Sequence, residues 1–264
     1  MRSVTAGSVT FKVLERGKGR PLLLVHGFPL DHSMWTGQID RLSANCRVIA
    51  PDLAGNRAGG VPETVTMEQM ADDLASLLTA MDVAEPVVFC GLSMGGYIAW
   101  QFWRKHAARV RALILCDTKA KADTPEAKAG RAKMIDQIEK LGPSSVAEAM
   151  LPKLFATDSF VERPGQVDFT RQTILAHSPQ TLAAWVRGLA ACPDVSGDLG
   201  QIHVPVLVVV GEHDAISPPA EMSQIAAAIP GAQFVIIPGA GHMSPLEKPA
   251  EFNAAVEDFL ARLQ

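Results

Sequence analysis

The chain has 264 residues, 48% of them hydrophobic and 20% charged, with a formal net charge of −4. This length suits one large α/β domain or a core with an insertion, and the mildly acidic balance argues against nucleic acid or an anionic membrane surface as a partner. No apolar run approaches the ~18 residues that a transmembrane helix needs. Met1 and Arg2 lead into Ser3, Thr5 and Gly7 and not into an apolar signal segment, so a cytoplasmic location is expected. The four cysteines, Cys46, Cys90, Cys116 and Cys192, are widely spaced and form no C-x-x-C pair. Buried free thiols are expected for them.

Taken in order, Val9 to Leu14 alternates as an antiparallel strand does, with Gly7 before it and Gly17-Lys18-Gly19 after it as turns. Pro21 to Val25 is a continuous apolar run, the pattern of a strand buried on both faces. It stops at His26-Gly27-Phe28-Pro29, and a helix follows with Trp35, Ile39 and Leu42 on one face. Arg47 to Ala50 is the next strand, ending at Pro51-Asp52. A glycine-dense loop then runs from Leu53 to Pro62. Thr66 and Gln69 have capping-box spacing, and Met70, Leu74, Leu77, Leu78 and Met81 recur at helical spacing behind them.

Val87 to Cys90 is again an apolar strand, and Tyr97 to Trp100 begins a helix that continues through Phe102 and Trp103. Between them lies Gly91-Leu92-Ser93-Met94-Gly95, a G-x-S-x-G match. A serine on a sharp strand-to-helix turn takes a strained backbone conformation, and small residues two before and two after it avoid the clash. The turn leaves the hydroxyl at a helix start, where free N–H groups can hold negative charge. A five-residue match is common by chance; the flanking strand and helix supply the context that the motif needs.

Ala112 to Cys116 is a further buried strand. From Lys119 to Cys192 no strand-like run occurs; 121–140, 146–154, 167–176 and 182–189 read as helices. Strands resume with Val204 to Val210, a helix spans Pro218 to Ile229, and Phe234 to Ile237 is the last strand. The final helix starts near Pro249 and buries Phe252, Val256, Phe259 and Leu260. Strands alternating with helices predict a mainly parallel sheet with helices on both faces. The expected division is a core of 1–118 and 193–264, with a helical cap over 119–192.

A serine hydroxyl is a poor nucleophile until a base takes its proton, and the base needs an orienting acid. In an open α/β sheet such groups collect at the carboxyl ends of strands. Ser93 lies past one strand, Asp214 in Gly211-Glu212-His213-Asp214 past another, and His242 in Gly239-Ala240-Gly241-His242 past a third. The order Ser, Asp, His is the one this architecture uses. Three rivals carry the same residue types. His213 adjoins the acid, which makes it the poorer base; Asp117 follows a strand and is the competing acid; Asp52 follows a strand and is expected to anchor its loop. His32, His106, His177 and His203 show no metal-ligand spacing. No metal and no cofactor is expected.

These pieces together resemble the α/β-hydrolase fold superfamily nearly end to end. The matching stretches are His26-Gly27-Phe28-Pro29, Gly91 to Gly96, Gly211-x-x-Asp214 with Pro218, and Gly239 to His242 with Glu247 and Pro249. Within the superfamily the chain is similar to small serine esterases with a helical cap. The resemblance implies a mainly parallel eight-stranded sheet flanked by helices. It implies Ser93 as nucleophile, His242 as base and then acid, Asp214 as its partner, and an oxyanion hole from the backbone N–H groups of Phe28 and Met94. His26, Met150, Phe155 and Trp185 are the expected pocket residues. A structural role in holding its turn competes for His26, and plain core packing competes for the other three. The loop after Asp52 departs from the family: Asn56-Arg57 replaces its usual small-residue pattern, and Gly59-Gly60 follows.

The activity this implies is that of a carboxylesterase-like serine hydrolase, a carboxylic ester hydrolase acting on small acyl or aryl esters, with a small-molecule ester as its partner and an oligomeric state the sequence leaves open. Enol-lactone hydrolysis, cleavage of a carbon–carbon bond and perhydrolysis use the same triad, and fold alone does not separate them. The sequence at His26 to Pro29 lowers the lactonase alternative. Ser93 argues against the dehalogenases and epoxide hydrolases of this fold, which use an aspartate nucleophile. A small-ligand signalling receptor that keeps the triad is the non-enzymatic alternative.

Overall fold

The computed structural model describes residues 1–53 and 57–263. Ala54, Gly55 and Asn56, which hold part of the unusual loop after Asp52, lie outside the described residues. The sheet is built from β1 (Arg2–Ala6), β2 (Val9–Arg16), β3 (Arg20–Val25), β4 (Cys46–Pro51), β5 (Val87–Leu92), β6 (Val110–Cys116), β7 (Val206–Gly211) and β8 (Gln233–Ile237). Their order across the sheet is β1-β2-β4-β3-β5-β6-β7-β8. β2 pairs antiparallel with both β1 and β4, and every pairing from β4 to β8 through β3 and β5 is parallel. β5 is buried at every position, as its unbroken apolar run requires of a central strand with helices on both faces.

Strand β1 has no counterpart in the sequence reading. Only Val4 and Ala6 of its five residues are buried, so its alternation is too short and too polar to stand out. At the other edge β8 is mostly half-buried, with Ile236 exposed. β7 starts at Val206, two residues later than the apolar run suggested: Pro205 has no N–H for the ladder, and only its carbonyl reaches Leu113 N (3.0 Å).

The helices on the core are α1 (Thr36–Leu42), α2 (Met67–Ala80) and α3 (Met94–His106). The capping box at the start of α2 forms in full: Thr66 Oγ1 accepts from Gln69 N and Gln69 Oε1 accepts from Thr66 N. Between β6 and β7 the described elements are all helical: α4 (Pro125–Leu141), α5 (Pro143–Leu154), α6 (Ser159–Glu162), α7 (Pro164–Leu175) and α8 (Pro179–Ala190), then a short 3-10 stretch. After β7 come α9 (Pro219–Ala228), α10 (Ser244–Glu247) and α11 (Pro249–Ala261). The short α6 and α10 escaped the periodicity, which needs more than one turn to show. The helical block meets the core through Val65 N to Ala184 O (3.3 Å) and Met243 N to Leu154 O (3.0 Å).

All four cysteines are free and buried, and the Cys90 and Cys116 sulfurs lie 3.8 Å apart on adjacent strands. Among the described residues no helix is long and apolar enough to cross a membrane.

Candidate active site

Ser93 is the one residue from Val87 to Phe102 that is not buried. Its φ of 53° lies in the left-handed region, which a non-glycine residue takes only when its surroundings impose it. Here the surroundings are explicit. Ser93 N donates to Cys116 O (2.9 Å), and Ser93 O accepts from Gly96 N (2.8 Å), Tyr97 N (3.2 Å) and Thr118 Oγ1 (2.8 Å). Gly91 and Gly95 make the turn sterically possible: a Cβ on Gly91 would stand 2.3 Å from Gly95 O, and one on Gly95 would stand 2.3 Å from Val25 O. The second contact presses the head of α3 against the end of β3, so the amides of Met94 and of the loop at Phe28 belong to one small region.

His242 follows β8 and is 1% exposed. Its Nδ1 lies 2.8 Å from Asp214 Oδ2. Facing a carboxylate, Nδ1 carries the proton, and Nε2 holds a lone pair. Nε2 is buried and meets no hydrogen-bond partner among the described residues. An imidazole held this way is set to take a proton at Nε2. Asp214 is itself held, since its Oδ1 accepts from Ile216 N (2.7 Å) and Ser217 N (3.0 Å). Burial alone would raise its pKa; the His242 contact and these two amides outweigh burial and keep the carboxylate below its usual range.

The loop after β3 places the other expected donor. Leu30 N donates to Gly27 O (3.0 Å), closing a turn over Phe28 and Pro29. His26 braces that turn. Its Nε2 accepts from Leu53 N (2.9 Å), so its Nδ1 carries the proton and donates to Gly27 O (2.9 Å). Both ring nitrogens are thereby spent on backbone, and burial pushes its pKa down to about 4. The ring still faces the helical block: Trp185 on α8 lies 5.9 Å from His26 and 6.5 Å from Phe28, centroid to centroid. Trp185 and Phe155 are buried and Met150 is partly buried, all packed in the apolar core that joins the block to the sheet.

The rivals separate on geometry. His213 is exposed on the surface, 3.9 Å from Glu212 Oε2. Asp52 takes His32 N (2.9 Å) and faces His32 Nδ1 (2.6 Å), tying the end of β4 to the segment after Leu30. The fold also gathers Asp31, His32 and Asp52 within metal-ligand distance of one another, which their spacing did not reveal. Asp31 Oδ1 accepts from Ser33 N (2.9 Å), and Asp52 Oδ1 is taken by His32. Asp117 stands beside the acid and the base, its ligand atom and those of Asp214 and His242 all within 4.8 Å of one another.

Three residues that carry the site went unassigned in the sequence. Thr118 holds the Ser93 carbonyl. Ser244 Oγ donates to Asp117 Oδ2 (2.5 Å). Glu247, 1% exposed, accepts from Gly241 N (2.8 Å) with Oε1 and from Ala156 N (2.9 Å) and Ser159 Oγ (2.6 Å) with Oε2. It fastens the His242 loop to the end of α5 and the start of α6. Its place in the matching Gly239–Pro249 stretch was the available signal; its partners Ala156 and Ser159, 91 and 88 positions away, were not.

Comparison with known proteins places this geometry in a family. The model of the alpha/beta hydrolase family matches residues 22–255. The chain is similar to a thermophilic esterase from Thermogutta terrifontis, with 41% identity, a TM-score of 0.95, and coverage of 99% of this chain and 98% of that one. It is similar to the enol-lactonase from Burkholderia xenovorans, with 28% identity, a TM-score of 0.91, and coverage of 99% and 100%. The 3-oxoadipate enol-lactonase 1 of Acinetobacter baylyi is 27% identical over 234 residues, 89% of this chain and 86% of its own. Enol-lactonases thus stand beside esterases among the similar proteins, whatever the His26–Pro29 loop suggested. A strained serine between β5 and α3, a sheet of this strand order and a family match over residues 22–255 agree: the chain belongs to the alpha/beta hydrolase family and is a hydrolase.

Proposed function

We propose that this hydrolase is a carboxylic ester hydrolase that works through an acyl-enzyme on Ser93. The observation that carries the reading is His242, with Nδ1 held by Asp214 and Nε2 buried and without a partner among the described residues. In the proposed cycle His242 Nε2 takes the Ser93 proton as Oγ attacks the ester carbonyl. The developing oxyanion is received by the N–H groups of Phe28 and Met94, where one lost donor typically costs about 3 kcal/mol in the barrier. His242 then returns its proton to the leaving alcohol. Water, deprotonated by the same nitrogen, releases the acid. Asp214 stays ionised and stabilises the imidazolium. The rings of Phe28, Trp185 and Phe155 favour a small acyl or aryl ester over a charged one.

The test is turnover of a p-nitrophenyl ester series of increasing acyl length by wild type and Ser93→Ala. A fall of about 10⁴-fold or more in the variant is expected; retained turnover overturns the assignment. A second reading, lactone hydrolysis, is supported by the enol-lactonases of Burkholderia xenovorans and Acinetobacter baylyi among the similar proteins. It needs no other machinery, because a lactone differs only in keeping its leaving alcohol tethered to the acyl-enzyme. Relative kcat/KM for enol-lactones and for open-chain esters distinguishes the two.

A further inference from the structure

Asp117 is a buried acid that the proposed cycle does not use. It sits just past β6 with a left-handed φ of 48°, next to the strand whose end carries Asp214. Its backbone N donates to Val209 O (3.0 Å), and its Oδ1 accepts from Gly211 N (2.8 Å), so main chain and side chain both lock it to β7. Oδ2 takes the Ser244 hydroxyl. The ligand atoms of Asp117, Asp214 and His242 lie within 4.8 Å of one another. Loops after β6, β7 and β8 thus converge on one buried point, with exposures of 0% for Asp117, 3% for Asp214 and 1% for His242.

Two carboxyls this close and this deeply buried cannot both ionise cheaply, so one of them keeps a proton. The titratable groups that face Asp117 are Asp214, His242 and the Cys116 thiol on its own strand. With neutral His242, two ionised acids would place two negative charges in a buried site without a cation, a costly state. One proton leaves a single negative charge, which the imidazolium of the proposed cycle then neutralises. Asp214 already takes Ile216 N, Ser217 N and His242, all donors that favour its charged form. Asp117 has fewer such donors, and the shared proton falls to it. Burial and the Asp214 charge both push its pKa well up, against the pull of Ser244 and Gly211.

We propose that Asp117 is the protonated half of an acid pair, a positioning residue whose carboxyl O–H donates to Asp214 and holds it as the ionised partner of His242. This rests on the proposed role of Asp214. The donated hydrogen bond lowers the basicity of Asp214 and keeps the imidazolium proton on His242.

The substitutions that test this have opposite expectations. Asp117→Asn supplies an amide donor in place of the O–H and is expected to leave the acid limb of the kcat/KM–pH profile within about 0.3 units of wild type. Asp117→Ala removes the donor, makes Asp214 more basic, and is expected to move that limb to higher pH by about half a unit or more, with kcat falling and KM held. Were Asp117 ionised instead, Asp117→Asn would delete a negative charge beside His242 and move the limb to lower pH, which overturns the proposal. An unshifted limb in Asp117→Ala, whatever its stability, reduces Asp117 to a structural part and overturns it equally. A reading independent of turnover is the infrared C=O stretch of a protonated carboxylic acid at neutral pH, expected in wild type and in Ser93→Ala and absent from Asp117→Asn. Its absence from wild type defeats the acid pair; its presence alongside full activity in Ser93→Ala defeats the esterase reading alone.

Discussion

Two histidines mark the loops after β3 and β8, and the contrast between them says what makes a buried imidazole reactive. His26 and His242 are each 1% exposed. Each carries its proton on Nδ1, His26 against Gly27 O and His242 against Asp214 Oδ2. They part at Nε2. Leu53 N fills the lone pair of His26, while that of His242 meets no partner among the described residues. Burial is therefore shared and decides nothing between them. The partner at Nδ1 differs in charge, a carbonyl against a carboxylate, and so only one ring is built to hold a second proton. The other is a brace for the loop that carries Phe28.

The largest effects should come from the reactive side. His242→Ala is expected to lower kcat/KM by about 10⁴-fold or more with a native circular dichroism spectrum; the same loss in His26→Gln would erase the contrast. Asp214→Asn is expected to cost a comparable factor of about 10⁴ in kcat, because an amide permits the wrong imidazole tautomer. On the brace side the effect is on stability and depends on pH. The His26 pKa is about 4 in the folded protein against 6.5 for a free side chain. Between those values the unfolded chain binds a proton that the folded one refuses. The contribution is fully present above pH 6.5 and is lost as pH falls toward 4, by about 3 kcal/mol in all. Urea unfolding at pH 7 and pH 4 is expected to show this loss in wild type and to lack it in His26→Gln; equal slopes in both would mean that His26 charges freely. The smallest effect is a control. Thr66→Ala removes the capping-box acceptor of α2 and should cost about 1 kcal/mol without changing kcat/KM. A changed rate there would show that stability alone moves the chemistry.

The strands from β2 to β8, α2 with its capping box, α3, and the three strand ends bearing Ser93, Asp214 and His242 could be read from the sequence because their signals are local. An apolar run followed at once by a glycine loop needs no knowledge of its neighbours. The contrast between the histidines could not be read this way. It depends on Leu53, 27 positions from His26, and on Asp214, 28 positions from His242. His213 and His242 both follow glycine-marked strand ends, and only the course of each loop decides which ring turns inward. Asp117 and Ser244 meet across 127 positions, and Glu247 and Ala156 across 91. Polar residues at such separations show no periodicity, and their partners exist only once the sheet has assembled. Strand β1 was missed for another reason: it is an edge strand with two buried side chains, and its pairing with β2 supplies what its own pattern lacks.

Glu247 sets a rule for anyone who would re-engineer the substrate range by exchanging the helices between β6 and β7. Two of its three donors, Ala156 N and Ser159 Oγ, come from that block, and the third, Gly241 N, adjoins His242. A chimera that brings in foreign helices without an amide and a hydroxyl at those two places would leave a buried carboxylate with Gly241 N, the neighbour of the base, as its remaining donor. Its failure would look like poor specificity when the fault is a loosened imidazole. Grafts should therefore be cut on either side of 156–159, leaving that short segment native.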